Sequence, residues 1–132
     1  MILMKATAKG SFPISTKDTV EIARNIRNRE LSKAMDFLQR VIEKKSFVEY
    51  RRFKKDRAHR KGGGPGAYPE KASKEIMKIL KSVMNNAIQK GMNPEKLMVS
   101  RFEVGMAVSK TRRANRRLGK QTNILVEVEE SD

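Results

Sequence analysis

The residues of strongest chemical character lie in one short stretch, Ser109 to Lys120, which reads SKTRRANRRLGK. It holds Lys110, Arg112, Arg113, Arg116, Arg117 and Lys120, and no acid. Arginine presents a planar fork of donors that matches phosphate oxygens and can stack on bases. Like charges left together repel, so six cations without an acid point to a polyanion that meets them. The plain alternative, a charged edge that discourages aggregation, does not call for so many. A second basic segment, RRFKKDRAHRK at 51–61, supplies Arg51, Arg52, Lys54, Lys55, Arg57, Arg60 and Lys61 around one Asp. Phe53 inside it is expected to anchor the segment to the core, with stacking on an unpaired base as the alternative. A third set, Lys71, Lys74, Lys78 and Lys81, recurs at helical spacing and falls within about a quarter turn. Such a stripe is either a solvated helix face or a contact for the same polyanion.

Other chemistries find little support. His59 is the single histidine, so no His-based metal cluster can form, and it reads as a hydrogen-bonding loop residue beside the cations. The absence of Cys excludes zinc fingers, disulfide scaffolds and thiol catalysis. Asp and Glu are scattered without an acid–base spacing, and no Ser lies in a nucleophile elbow. The glycines at 62–64 lack the GK[ST] ending of a phosphate loop, so they read as a flexible turn or a close backbone approach. No enzyme activity, metal or cofactor is expected.

The whole chain repeats the message of its segments. Its 132 residues suit one domain, and 30 Lys and Arg stand against 15 acids, a net charge of +15. Nucleic acid is the first candidate partner, ahead of an anionic membrane or an acidic protein. A hydrophobic fraction of 38% allows one modest core. No apolar run approaches the roughly 20 residues of a membrane helix, and the start is too short in apolar residues for a secretory signal. The expectation is a soluble, intracellular protein.

The elements that must position these cations can be read from periodicity. Residues 2–9 suggest a weak edge strand, broken at Gly10 and Pro13. Ser15 with Asp18 fits a helix start, and a helix follows to about Ile26 with Val20, Ala23 and Ile26 on one face. Asn28 to Glu30 makes a tight connection. A second helix runs from about Leu31 to Lys45. The basic segment and GGGPG then form a long loop, 49–68, in which regular structure is improbable. Pro69 suits a first helical position, and a third helix runs to Lys90 with Gly91 as its stop. Asn93-Pro94-Glu95 reads as a capped turn. Two alternating runs follow, with Met98, Ser100, Phe102, Val104, Met106 and Val108 on one face of the first and Ile124, Val126 and Val128 on one face of the second. They predict a hairpin with the six cations at its end, 109–120, extending from a body of residues 1–108 and 121–132. The acidic terminus, Glu127 to Asp132, is expected in solvent.

Several segments carry a resemblance to a known family. They are EIARNIRNRELSKAMDFLQRVIEKK (21–45), RFKKDRAHRKGGGPGAYPEKASKEIMKIL (52–80), NNAIQKGM (85–92), EKLMVSRF (95–102) and RRAN (112–115). The most specific is HRKGGGPGAYPEKA, His59 to Ala72. Together they resemble large-subunit ribosomal protein twenty-two of the archaeal and eukaryotic type. The resemblance implies an α+β fold, a small antiparallel sheet packed with three α-helices and carrying a protruding basic β-hairpin. It implies a structural, non-enzymatic constituent of the cytoplasmic ribosome that binds large-subunit ribosomal RNA and supports subunit assembly. It further implies a hairpin at the wall of the polypeptide exit tunnel. The implied partners are that RNA, neighbouring large-subunit ribosomal proteins and the nascent polypeptide, with no membrane. The RNA-binding residues would be Arg51, Arg52, Lys54, Lys55, Arg57, His59, Arg60, Lys61, Lys71, Lys74, Lys78 and the six hairpin cations. Two departures stand out. Arg113-Ala114 is followed by Asn115-Arg116 where the family has a glycine, and the hairpin is shorter by about three residues per strand. At ~3.3 Å per residue the tip would reach roughly 10 Å less far. Two other readings rank lower: a DNA-binding regulator, whose second helix would be too sparse in basic and amide residues, and a membrane-surface protein.

Overall fold

The computed structural model describes residues 4–53, 56–60, 63–107 and 120–130. Among them lie β1 (Lys5–Phe12), α1 (Thr16–Ile26), α2 (Leu31–Ile42), β2 (Val48–Glu49), β3 (Gly66–Ala67), α3 (Glu70–Gln89), a 3-10 turn (Pro94–Lys96), β4 (Leu97–Met106) and β5 (Thr122–Glu130). A three-stranded antiparallel sheet in the order β1-β5-β4 is covered on one face by the helices, so the fold is α+β. β4 and β5 are consecutive paired strands, from Leu97 opposite Glu130 to Met106 opposite Thr122. The expected basic tip, 109–120, lies outside the described residues except for Lys120.

Local chemistry sets most element ends. Ser15 caps α1, its Oγ accepting from the backbone N–H of Asp18 at 3.4 Å. The turn after α1 is taken by Asn28 at φ 64°, a left-handed conformation that Asn tolerates. α2 stops at Ile42, three residues before the expected end. Lys44 turns left-handed at φ 62° and the N–H groups of Lys45 and Ser46 fold back onto the Arg40 carbonyl. The EKK tail offers no apolar side chain to bury, so nothing holds a further turn of helix against the core. Pro69 sits just outside α3, as its cap residue, and Gly91 closes that helix at φ 83°. The 3-10 turn is capped by Asn93 Oδ1, which accepts from the Glu95 N–H at 3.0 Å.

One core joins the layers. Ile22, Ala23 and Ile26 of α1 meet Leu31, Ala34, Leu38 and Val41 of α2, and Ile76, Leu80 and Val83 of α3, over Ile124, Val126 and Val128 of β5. Val20, expected on the buried face of α1, is only part-buried; Glu21 and Ile22 take the interior instead. On β4 the expected face is wrong for its first half. The pairing register jumps between Val99 and Arg101, a β-bulge at Ser100, whose Oγ donates to the Glu127 carbonyl. One extra residue reverses the alternation. Leu97 and Val99 are therefore buried before the bulge and Phe102 after it, while Met98 and Ser100 are turned away. Met106, also expected in the core, is 83% exposed. Val108 lies outside the described residues.

The sheet edges are covered from within. β1 continues through Gly10 to Phe12, beyond its expected end. Its outer carbonyls accept from α3 side chains, Asn86 Nδ2 to Thr7 and Lys90 Nζ to Lys5, both at 2.8 Å. Along β4, Val99 exchanges backbone bonds with Asn28 and Arg29, and Arg27 donates to the Phe102 carbonyl at 2.7 Å. At these positions the edge groups are already occupied and closed to pairing with another chain. The acidic end is less solvated than expected. Glu127 and Glu129 lie 3.7 and 3.1 Å from Lys5 Nζ, and Glu130 accepts from the Asn93 N–H. They pin the start of β1 and raise the pKa of Lys5, the Glu129 hydrogen bond acting most.

Candidate nucleic-acid interface

The basic loop is built on a buried carboxylate. Glu21 on α1 is fully buried, and its Oε2 accepts from the Arg51 N–H at 3.0 Å. Its Oε1 accepts from the N–H groups of Arg52 and Phe53 at 2.9 and 3.1 Å. Three successive backbone donors converge on one anion, as in a nest. The carboxylate therefore fixes the backbone while Arg51 and Arg52 stay exposed. Beside it Tyr50 is 2% exposed and donates its hydroxyl to Asp18 Oδ1 at 3.0 Å. Burial, then the Asp18 charge, pushes that phenol far above its usual pKa. Tyr50 is the anchor expected of Phe53. Phe53 is part-buried beneath two cations instead, with Arg52 5.0 Å and Lys17 5.9 Å from its ring centre.

The Gly-rich run has more structure than its composition suggests. Val48 pairs with Ala67 and Glu49 with Gly66, Tyr50 N–H donates to the Pro65 carbonyl at 2.8 Å, and exposed His59 bridges to Pro65. The close backbone approach expected of the glycines is made to the chain's own Phe47. A Cβ on Gly66 would lie 2.5 Å from Phe47 Cδ2, far inside contact distance. Arg60 Nε donates to the Gly66 carbonyl at 3.2 Å, and its guanidinium sits 5.2 Å from the Tyr68 ring centre. Among its described residues the segment is thus a folded flap in which Arg52 and Arg60 have set places.

This flap, α3 and the root of the hairpin share one cleft of about 490 Å³. Arg57 comes from the flap, Lys71 from the first turn of α3, and Lys120 from the residue preceding the return strand by two. Tyr68, Glu70 and the Tyr50–Asp18 pair also line it, beside small and apolar residues such as Ile14 and Ala72. Three basic segments that are remote in sequence therefore converge. Lys74, Lys78 and Lys81 continue along the exposed side of α3, with Lys78 3.2 Å from Glu75. Lys54, Lys55, Lys61, Lys110, Arg112, Arg113, Arg116 and Arg117 lie outside the described residues. Among the described residues no group of three or more His, Asp or Glu could hold a metal ion, and no helix is long and apolar enough to cross a membrane. Such a surface can grip phosphates through charge and fork geometry while offering one aromatic ring to a base.

Sequence reasoning missed two parts of this surface. Glu21 was hidden because a lone acid on a helix reads as solvated until the loop is seen to close over it. Arg24, Arg27 and Arg29 were passed over because they are dispersed along α1 and the turn after it.

Comparison with known proteins shows the family of the chain. A model of the family described as Ribosomal protein L22p/L17e matches residues 7–127. The chain is 39% identical over 113 residues to "Large ribosomal subunit protein uL22" of Methanococcus aeolicus, covering 83% of this chain and 74% of that one. It is 40% identical over 121 residues to the protein of the same name from Cenarchaeum symbiosum, covering 88% and 80%. The counterpart in Methanocaldococcus jannaschii is 39% identical over 115 residues, covering 85% and 74%. The matched residues reach from β1 into β5 and so take in the three helices and the flap, and the chain belongs to the Ribosomal protein L22p/L17e family.

Proposed function

We propose that this protein is a structural constituent of the large ribosomal subunit that binds large-subunit ribosomal RNA, helps the subunit assemble and places its hairpin at the wall of the exit tunnel. The observation that carries the reading is the cleft in which Arg57, Lys71 and Lys120 converge, since it brings cations of the flap, α3 and hairpin root together beside Asp18 and Glu70. The flap and the α3 stripe grip phosphates, and Arg112, Arg113, Arg116 and Arg117 thread between RNA segments. Neighbouring ribosomal proteins and the nascent chain are its other partners, and the shortened hairpin reaches roughly 10 Å less far than a longer relative would, at ~3.3 Å per residue. Binding releases counterions, so log K falls steeply with log salt, and shape rather than base edges sets the preference. The test is salt-dependent binding to large-subunit ribosomal RNA fragments with duplex DNA of equal charge as competitor. Preference for one fragment supports the reading; equal binding to both polyanions refutes it. Arg112→Ala with Arg116→Ala should flatten the salt slope by ~1–2 units.

A further inference from the structure

We infer that α1 and the turn after it carry a second phosphate site, an arginine cradle distinct from the cleft above. Arg24, Arg27, Arg29 and Arg51, with Asn25 and Glu49, line a cavity of about 220 Å³. Four arginines and one carboxylate residue share that lining. The group comes from two segments, 24–29 and 49–51, that only the fold brings together. The cavity is smaller than the ~300–1,000 Å³ that whole small ligands occupy, and so it suits a single phosphate group.

Arg27, Arg29, Arg51 and Asn25 are each placed by a separate constraint, and Arg24 stands exposed beside them. Arg27 is held by the Phe102 carbonyl at 2.7 Å. Arg29 lies over the Phe37 ring at 5.5 Å. Arg51 donates to Glu49 Oε2 at 3.2 Å, while its backbone is gripped by Glu21. Asn25 donates to the Glu21 carbonyl at 2.9 Å. The C-terminal end of a helix carries about half a negative charge, which disfavours an anion. One arginine there would merely offset that dipole. Four exceed it, and with Arg27, Arg29 and Arg51 held in place they leave an excess of largely pre-organised donors, the arrangement that binds phosphate bidentately.

The cradle and the first cleft share no lining residue. Asp18 lines one and Arg27 the other, nine helical residues or about 13 Å apart along α1. The occupant is a backbone phosphate of the RNA proposed above, so the inference rests on that reading.

The test compares three double variants in salt-dependent binding to large-subunit ribosomal RNA fragments. Arg24→Gln with Arg29→Gln should lower the salt slope by ~1–2 units. Lys9→Gln with Lys45→Gln removes the same charge elsewhere and should leave the slope unchanged. Lys71→Gln with Lys74→Gln reports on the first surface. If the parent prefers its RNA and the lysine 71/74 pair lowers the slope while the arginine pair does not, the cradle is overturned alone. An equal drop from the lysine 9/45 pair also overturns it, because bulk charge would then suffice. If the parent binds RNA and duplex DNA alike, the ribosomal RNA reading falls and the inference with it. Arginine-selective dicarbonyl labelling of the unaltered protein gives a readout free of folding effects: Arg24 and Arg29 should be shielded when RNA is bound, and full reactivity of both overturns the site.

Discussion

Replacing Glu21 with Gln separates positioning from charge. In the structure one carboxylate accepts three backbone N–H groups, with Arg51 on one oxygen and Arg52 and Phe53 on the other. Gln keeps a single acceptor oxygen and turns an NH2 group toward one former partner. One hydrogen bond to a charged acceptor is lost, about 2 kcal/mol, and two more drop from charged to neutral strength, about 1 kcal/mol each. Burying an amide costs less than burying a carboxylate, which returns roughly 1–2 kcal/mol. The net is about 2–3 kcal/mol, spent locally, because the apolar contacts of Ile22, Ala23 and Ile26 are untouched. At 1.4 kcal/mol per tenfold, amide exchange at Arg51–Phe53 should accelerate by roughly 30- to 150-fold. RNA binding gives the sharper contrast. The variant carries net charge one unit above the parent's +15, so charge alone predicts tighter binding. Loss of the loop's fixed geometry predicts weaker binding. Unchanged protection at Arg51–Phe53, or tighter RNA binding, would refute the claim that Glu21 organises the flap.

Two further outcomes test the flap and its anchor. Gly66→Ala should cost about 1–3 kcal/mol in urea denaturation, because the new Cβ meets Phe47 Cδ2 at 2.5 Å. Adding Phe47→Leu should recover much of that loss, and strict additivity of the two changes would contradict the packing. Tyr50 makes stability depend on alkaline pH. Its phenol pKa is raised in the folded state, so the unfolded chain sheds the proton first once pH passes its ordinary value near 10. The contribution is complete below that pH and is lost above it, at up to about 1.4 kcal/mol per pH unit. Tyr50→Phe should remove this component of the slope in denaturation midpoints measured between about pH 9 and pH 11, and an unchanged slope would exclude it.

Local physics and composition made much of this protein legible. The starts of the three helices followed from capping and turn residues such as Ser15, Asn28 and Pro69, whose conformational preferences act over a few residues. The buried face of β5 followed from simple periodicity, since that strand keeps one register along its length. The charge excess pointed to a polyanion whatever the fold, because electrostatic repulsion does not depend on which element carries it. Two kinds of feature were decided by tertiary structure. The β-bulge at Ser100 reversed the face of β4, and one residue of slip leaves no mark in an alternating pattern. The places where distant residues meet were the other: Glu21 under Arg51–Phe53, Phe47 over Gly66, Arg57 with Lys71 and Lys120, and Arg24 to Arg29 with Arg51. Such pairings depend on how α1, the flap and α3 pack. A side chain's solvation and partners exist only after the chain has closed around it, and so a lone acid or a scattered arginine acquired its role from the fold.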